Sequence, residues 1–326
     1  MRLIHRIALT LLLAPPLIAM ILGWLVAPSF LHPIRRPLTP DLVQQARISF
    51  AQVGAQPEEL DVRAPDGILL RGWKVRAPQH NSSTALGAGG NWVLLFHGVA
   101  DNRIGVVEHA LFLLKAGYSV TLMDARAHGA SDGAIATYGW LERKDTTAIL
   151  DALVASEHPA HIYALGESMG AGIALQSAGA DPRIEAVVAE APFASLREAS
   201  YDYAGLQKYP LLGKTLFAPG AFIMLARGQS LAGFPAAGVS PEHAVAARAF
   251  PVLLICDESD TTLPCRHAER IYAAATGPKS FWKVPRAYHT AALGYEPEEF
   301  KRRVLQFFAD PAGAERGSQL SVHSSQ

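Results

Sequence analysis

Cysteine is scarce in this chain, since Cys256 and Cys265 are the only two among 326 residues. Two cysteines cannot hold together a disulfide-rich scaffold, and the further Cys and His ligands of a structural zinc site do not accompany them. We therefore expect no metal and no cofactor. Net charge is also absent, because Lys plus Arg and Asp plus Glu both total 29. A chain without a basic excess has no field that gathers nucleic acid, so we expect no nucleic-acid partner.

The first thirty residues form a hydrophobic segment unlike the rest of the chain. Arg2 and Arg6 precede an uncharged stretch at residues 7–30, which as a helix rising 1.5 Å per residue is long enough to cross a hydrocarbon core. Pro15 and Pro16 interrupt it, but membrane helices tolerate proline better than soluble helices do. Residues 1–30 are therefore predicted to be a single-pass N-terminal membrane anchor, and membrane contact is expected through residues 7–30.

Two other interpretations of this segment stay open. Arg2 and Arg6 also suit the charged start of a signal peptide, which would give a secreted protein after cleavage, and a buried helix is the third possibility. Arg35 and Arg36 lie beyond the segment, so positive charge on its two flanks is nearly balanced and fixes the orientation only weakly. We expect a catalytic domain outside the cytoplasm, and we expect residues 1–30 to contribute nothing to its site.

Half of the residues are hydrophobic, which supplies the core of a large globular domain. We predict a linker at residues 31–57 with a short helix near residues 40–50, a globular domain at residues 58–310, and a disordered polar tail at residues 311–326. Residues 81–90 are rich in Ser, Gly and Ala and have no apolar period, which is typical of a mobile surface loop.

From residue 92 onward, short apolar runs alternate with amphipathic segments of helix length, a pattern typical of a parallel sheet flanked by helices. Asp66-Gly67 between two earlier strand-like runs predicts a hairpin. At about residues 194–248 the strand rhythm stops, and short helical pieces indicate a cap over the site. Strands are predicted at residues 59–64, 68–75, 92–96, 119–124, 162–166, 186–189, 252–256 and 281–284, and helices at residues 105–116, 140–156, 169–180, 266–275 and 297–308.

The segment Gly166-Glu167-Ser168-Met169-Gly170 follows a predicted strand and opens a predicted helix. This is the context of a nucleophile elbow, in which the turn strains the serine backbone and its close packing leaves no room for side chains at the two glycines. Because a serine hydroxyl is a weak nucleophile near neutral pH, it needs a base within hydrogen-bond reach and a third group that orients that base. Ser168 is therefore the candidate nucleophile.

Three acidic residues compete for the role of the orienting acid. The strand at residues 252–256 is followed by Asp257, Glu258 and Asp260 in a polar loop that ends at Pro264. We favour Asp260, because at that position the loop has already left the strand, whereas Asp257 stands where a turn usually has glycine and could serve as a turn or capping residue.

The candidate base is His289, which lies in the loop between the last predicted strand and the last predicted helix. Histidines after Asp260 are few, since His267 belongs to a helix and His323 to the tail. Acyl transfer also needs two donors for the oxyanion. We expect them to be the backbone N–H groups of Met169 and Val99, and we expect His97 to be structural because it precedes the nucleophile.

These motifs together resemble the α/β-hydrolase superfamily over about residues 60–308, and they follow the family's order: His97-Gly98, residues 124–131, the elbow at Ser168, Asp260 and His289. The combination of an anchor and a hydrolase resembles membrane-anchored bacterial members. The resemblance implies a mostly parallel α/β sheet with a short helical cap and a scaffold role for Asp124, Arg126 and His128. Departures are Asp257 in place of glycine and the alanines at positions 125 and 127.

The chemistry expected from the residues and the resemblance is acyl transfer to water through an acyl-enzyme on Ser168. The expected substrate is a small-molecule or lipid-like carboxylic ester. A serine peptidase, a thioester hydrolase and an acyltransferase use the same triad and stay open, as does a non-catalytic, membrane-tethered binding protein. Dehalogenases and epoxide hydrolases are disfavoured, because they resemble the chain in fold but have aspartate at the position of Ser168.

Cys256 and Cys265 flank the loop that carries Asp260. They could be two unrelated buried thiols, since free cysteine packs as a small hydrophobic residue. The loop between them must also double back from a strand end to a helix start, so a disulfide is geometrically possible. In an oxidising compartment such a bond would hold Asp260 near His289.

Overall fold

The computed structural model describes residues 2–78, 90–203 and 210–313. Most of the predicted loop at residues 81–90 and of the predicted tail at residues 311–326 lies outside these ranges. The three tail residues that are described, 311–313, form a short helical turn that continues from the last helix.

A mixed eight-stranded sheet forms the centre of the described chain, in the order β1-β2-β4-β3-β5-β6-β7-β8. The first two strands form the predicted antiparallel hairpin, β2 pairs antiparallel with β4, and the remaining neighbours are parallel. The predicted α/β-hydrolase fold is confirmed. The strands are β1 Pro57–Arg63, β2 Leu69–Val75, β3 Asn91–Phe96, β4 Ser119–Met123, β5 His161–Glu167, β6 Ile184–Glu190, β7 Val252–Asp257 and β8 Lys279–Val284.

Helices cover both faces of the sheet, and a further group lies between β6 and β7 at the position of the predicted cap. A five-residue π-helical stretch, Gly213–Phe217, joins two of the cap helices. The helices are α1 Arg2–Leu31, α2 Pro40–Gln52, α3 Val107–Lys115, α4 Glu142–Glu157, α5 Met169–Ala180, α6 Leu196–Tyr203, α7 Pro210–Leu212, α8 Ala218–Ala232, α9 Pro241–Ala247, α10 Arg266–Ala274, α11 Ala292–Tyr295 and α12 Pro297–Ala309.

Both faces of the sheet are buried, which explains why its strands appear in the sequence as continuous apolar runs. In β3, Val93 and Leu95 pack into the core layer that includes α2, α3 and α12. Their neighbours Trp92 and Leu94 point to the opposite face, toward α4, α5 and α10. The alternation follows from the two-residue period of a strand. The sheet is therefore a rigid platform, and loops at its carboxyl edge are held in fixed positions.

The segment after β4 is a scaffold, as the resemblance implied. The Asp124 carboxylate accepts hydrogen bonds from the backbone N–H groups of Arg103 and Ala130, each 2.7 Å long. Arg126 forms a paired contact with the Asp145 carboxylate, at 2.7 and 2.6 Å. These buried contacts tie the turn to the loop before α3 and to α4. Asp124, Arg126 and His128 do not line the cavity beside Ser168.

The N-terminal helix α1 contains a stretch that is long and apolar enough to cross a membrane, Leu12–Leu31, with a mean hydropathy of 1.8. Its three prolines are accommodated within one continuous helix. The chain that follows is not a free linker. His32 bonds the Ala134 carbonyl at 2.6 Å, and Arg35 donates to the Ser131 carbonyl at 2.9 Å. The end of α1 is thus fastened to the globular domain.

Candidate active site

Ser168 occupies the sharp turn between β5 and α5, and its backbone φ of +52° lies in the left-handed region. Such a conformation strains a residue with a side chain and persists only where the surroundings enforce it. The backbone N–H of Ser168 donates to the Glu190 carbonyl at 2.9 Å, which holds the turn against β6. The turn therefore presents the serine side chain at the carboxyl edge of the sheet.

The two glycines of the motif are required by close packing. A Cβ atom at Gly166 would collide with the Gly170 carbonyl, and a Cβ atom at Gly170 would collide with the Phe96 carbonyl. Neither neighbour can move aside, because both are backbone atoms of the sheet or of the helix that follows. The packing predicted for the elbow is thus present at both positions.

His289 lies between Ser168 and Asp260 and contacts both. Its Nε2 atom is 2.8 Å from Ser168 Oγ, and its Nδ1 atom is 2.6 Å from Asp260 Oδ2. The other carboxylate oxygen of Asp260 accepts from the backbone N–H groups of Thr262 and Leu263 at 2.7 and 2.9 Å. Because the Asp260 oxygen next to Nδ1 accepts a hydrogen bond, it favours the tautomer with the proton on Nδ1, which leaves Nε2 free to accept from Ser168.

The two competing acids occupy different places. Asp257 is buried, and its Oδ2 atom accepts from the backbone N–H of Thr290 at 2.9 Å, so it contacts the histidine loop rather than the imidazole ring. Burial raises the pKa of Asp257 to about 7. Glu258 points outward, where its carboxylate lies 3.7 Å from Lys283 Nζ. Of the three acids, Asp260 alone contacts the imidazole.

The loop after β3 passes directly beside the serine. A Cβ atom added to Gly98 would lie 3.7 Å from Ser168 Cβ, and both Val99 and Met169 line the cavity that Ser168 faces. His97 is buried, with Nδ1 2.7 Å from the Gly98 carbonyl and Nε2 accepting from the Ala125 N–H at 3.0 Å. Burial lowers the pKa of His97. Its ring therefore braces the loop in its neutral form, and it is not among the residues that line the cavity.

The cavity beside Ser168 has a volume of about 430 Å³, within the range of about 300–1,000 Å³ usual for small-molecule sites. No described residue that lines it carries a charged side chain. They are Val26, Ser29, Phe30, Pro33, Ile34, Val99, Ala100, Tyr138, Ser168, Met169, Phe193, Leu196, Ala199, Ser200, Met224 and Leu263. A carbonyl compound with an apolar substituent matches this lining.

One expectation from the sequence is wrong. Val26, Ser29 and Phe30 belong to α1 and line the cavity, so the N-terminal segment does contribute to the candidate site. Phe30 stacks on Tyr138 with ring centres 4.8 Å apart, and the Tyr138 hydroxyl donates to the Phe30 carbonyl at 2.6 Å. Hydropathy predicted that α1 is a membrane segment but gave no sign that its last turns pack beside a loop more than a hundred residues away.

Cys256 and Cys265 are joined as a disulfide, with their Cα atoms 5.3 Å apart. The bridge spans the polar loop that carries Asp260 and links the end of β7 to the residue just before α10. The disulfide thus closes a short loop that contains Asp260, the acid that contacts His289.

A second buried polar cluster lies behind the elbow. Among the described residues, the potential ligand atoms of His109, Glu167 and Glu190 lie within 4.8 Å of one another. Burial raises the pKa of Glu167 to about 8 and lowers the pKa of His109 to about 4. The raised pKa favours a protonated Glu167, whereas a divalent cation needs deprotonated carboxylates; the lowered pKa favours a neutral His109, which is the form that binds metals. These three side chains are the one group of potential cation ligands found among the described residues.

Comparisons with known proteins agree with the fold. Residues 90–219 match the family model described as serine aminopeptidase, S33. The uncharacterised protein Rv2307c of Mycobacterium tuberculosis is 32% identical over 75% of this chain and 74% of its own length. The chain belongs to the α/β-hydrolase superfamily. The uncharacterised protein YqkD of Bacillus subtilis is 29% identical over 67% of this chain and 70% of its own length.

Structural neighbours of this α/β-hydrolase share its fold. The Pyrococcus furiosus esterase Pf2001 matches with a TM-score of 0.63 and 23% identity, covering 85% of this chain and 98% of its own.

A further relative was found by sequence. The lysophosphatidylserine lipase ABHD12 of Danio rerio is 27% identical over 62% of this chain and 52% of its own length.

Proposed function

We propose that this α/β-hydrolase cleaves a carboxylic ester through an acyl-enzyme on Ser168. The observation that carries the proposal is the continuous contact from Ser168 through His289 to Asp260, at 2.8 and 2.6 Å. Both distances lie within hydrogen-bond reach, which is what proton transfer from the serine to a held histidine requires.

The reaction proceeds in two halves. As Ser168 Oγ bonds to the substrate carbonyl carbon, its proton passes to His289 Nε2, and the carbonyl oxygen becomes an oxyanion held by the Val99 and Met169 N–H groups. The C–O bond to the alcohol then breaks, and the leaving alcohol takes the proton from His289. Water repeats the sequence on the acyl-enzyme with His289 again as the base, releasing a carboxylic acid and restoring the serine.

An ester with an apolar acyl group suits the cavity better than an aminopeptidase substrate does. Binding a free peptide N-terminus in a desolvated pocket would call for an acidic side chain, and none lies among the described lining residues. The S33 match covers residues 90–219, which include Ser168 but neither Asp260 nor His289. The family description does not make a peptide the substrate of this chain. Thioester hydrolysis, or transfer of the acyl group to an acceptor other than water, would use the same residues.

We also propose that α1 stays attached as an anchor with the catalytic domain outside the cytoplasm. A cleavage near residue 30 would remove Val26, Ser29 and Phe30 from the cavity wall. The domain organisation then comprises an anchor, a tethered connection, and a hydrolase domain capped by α6 to α9.

A fluorophosphonate probe and p-nitrophenyl acetate together test the chemistry. The wild-type protein should be labelled and should release p-nitrophenol, and Ser168→Ala should lose both. Ser156→Ala, an exposed serine on α4, serves as the matched control and should behave as the wild type. Folded wild-type protein that is neither labelled nor active would favour a tethered binding protein that kept the fold without turnover.

A further inference from the structure

We propose that the cavity beside Ser168 takes the acyl chain of a membrane lipid ester, which enters from the bilayer along α1 and α8. The inference rests on the proposed serine hydrolase chemistry and adds the substrate class and its route. It starts from the position of the membrane helix, whose last turns form part of the cavity wall.

The outer surface of α1 is apolar over several turns. Its large side chains are half or more exposed across the predicted span, which only a hydrocarbon environment covers without cost. They are Leu12, Leu13, Leu17, Ile18, Ile21, Leu22, Trp24 and Leu25.

The cap helix α8 lies against α1 with almost no side chain between the two backbones. A Cβ atom on Gly23 would collide with the Gly220 carbonyl, and one on Gly220 would collide with the Ala19 carbonyl. Further along, Gly228 lies beside Phe30, so the two helices run in the same direction. Close approach at small residues is how helices associate within a membrane.

Polar groups along this contact are paired as a membrane location demands. The Arg227 guanidinium lies 3.3 Å from the centre of the Trp24 ring and donates to the Trp24 carbonyl. One N–H of Arg227 is therefore paired within the protein, and the ring contact adds a cation–π interaction that is strongest away from water.

The outer face of the cap continues the apolar surface of α1. Because Gly220 lies level with Gly23 and Ala19, the start of α8 sits at the depth of the middle of the candidate span. Large hydrophobic side chains are exposed on α8 and on the preceding α7, with Phe222 64% and Leu211 77% exposed. A contiguous exposed apolar surface of this kind marks an interaction site, and here it adjoins a membrane helix.

The inner faces of the same two helices lead to the serine. Val26 and Phe30 of α1 and Met224 of α8 line the cavity together with Ser168, and none of its described lining residues is charged. The two helices whose outer faces suit lipid thus also form the apolar wall of the cavity that holds the candidate nucleophile, and we infer that an apolar passage joins the two. A single acyl chain, with its ester carbonyl at Ser168, fits that passage, whereas a polar soluble ester gains nothing from it.

The test uses the full-length protein in phosphatidylcholine vesicles with p-nitrophenyl palmitate and p-nitrophenyl acetate. The wild-type protein should prefer the palmitate ester in kcat/KM by about tenfold or more. Val26→Trp and Met224→Trp fill the cavity and should lower the ratio of palmitate to acetate turnover by about tenfold. The neighbouring Leu25→Trp, at a position that does not line the cavity, is the matched control and should leave the ratio unchanged. An unchanged ratio in both cavity variants would overturn the acyl-chain site.

The route is tested by placing enzyme and palmitate ester in the same vesicles or in separate ones and measuring initial rates. Entry from the bilayer predicts initial turnover about tenfold faster in shared vesicles. Equal rates would show entry from water and overturn the route. Cross-linking of vesicle-embedded protein into dimers through α8 would assign the exposed face to a second copy and overturn it as well. Turnover of p-nitrophenyl acetate by the wild type and its loss in Ser168→Ala would show that the proposed chemistry holds even if the acyl-chain site or the route is wrong.

Discussion

Asp257 Oδ2 accepts a hydrogen bond of 2.9 Å from the backbone N–H of Thr290, the residue that follows His289. Asp260, three positions further along the same loop, contacts the imidazole itself at 2.6 Å. Two acidic side chains therefore position His289. Asp257, at the end of β7, binds the backbone next to the histidine, and Asp260, in the loop that follows, binds its ring.

This division predicts different effects of removing each charge. Asp260→Asn should lower ester turnover by about three to four orders of magnitude, because an amide favours the wrong histidine tautomer. Asp257→Asn keeps an oxygen that can accept from Thr290, so turnover should fall by no more than about threefold. The measurement is kcat/KM for p-nitrophenyl acetate, with far-ultraviolet circular dichroism as the control for folding. A large loss of kcat/KM in Asp257→Asn together with a small loss in Asp260→Asn would show that Asp257 is the orienting acid.

Deleting residues 1–31 should impair the protein, contrary to the expectation from the sequence. The deletion removes the Phe30 carbonyl that accepts from Tyr138 and the Leu31 carbonyl that accepts from the Ala136 N–H at 2.9 Å. It also opens one wall of the cavity. We expect kcat/KM for p-nitrophenyl palmitate to fall about tenfold or more, because small errors in substrate position are costly.

The deletion variant and the full-length protein are measured in one detergent, so that the full-length protein is the control. The melting temperature reports whether the shortened chain is folded. Tyr138→Phe, which removes only the hydroxyl that bonds Phe30, should show a smaller loss of stability, about 1 kcal/mol. A chain starting near residue 40 that is soluble and as active as the full-length protein would contradict the contribution of α1.

The disulfide predicts no free thiols in denatured, unreduced protein taken from its native compartment. The bridge joins residues nine positions apart, and closing so short a loop stabilises the fold by about 2 to 3 kcal/mol. The Cys256→Ala, Cys265→Ala double variant should therefore unfold at lower denaturant concentration than the wild type. Because disulfides persist in oxidising compartments, the bridge supports a catalytic domain outside the cytoplasm, and two titratable thiols in native material would remove that support.

The buried carboxyl of Glu167 predicts a pH-dependent stability. Its pKa is raised to about 8 by burial, compared with about 4.3 in an unfolded chain. Between these values the unfolded chain releases the proton while the folded state keeps it, so stability falls as pH rises. Glu167→Gln cannot ionise and should lack this loss. Its melting temperature should rise relative to wild type from pH 5 to pH 8, by the equivalent of at most about 1.4 kcal/mol per pH unit.

The exposed Glu269→Gln on α10 makes the same charge change on the surface, and it should show no such trend. Other buried groups, including His109 with its pKa of about 4, add their own pH dependence to both proteins, so they largely cancel in the difference. A constant difference between Glu167→Gln and wild type across this range would show that Glu167 does not hold its proton in the folded state.

The sequence alone determined the sheet, its flanking helices and the residues brought together at its carboxyl edge. Strand periodicity is a local feature, the order of Ser168, Asp260 and His289 can be read along the chain, and a parallel sheet brings the ends of β5, β7 and β8 to one edge. The elbow was equally readable, since Gly166 and Gly170 are needed by packing within a few residues of the serine.

Only the tertiary structure decided what surrounds those residues. Periodicity cannot show that α1 and α8 pack together or that Val26 and Met224 face one cavity, because about two hundred residues separate them and hydropathy describes each helix by itself. Nor can it show that Asp257 reaches Thr290 or that Glu167 lies beside Glu190 and His109. Such contacts depend on how the elements are arranged around the sheet, and that arrangement determines which apolar surface faces lipid and which encloses the substrate.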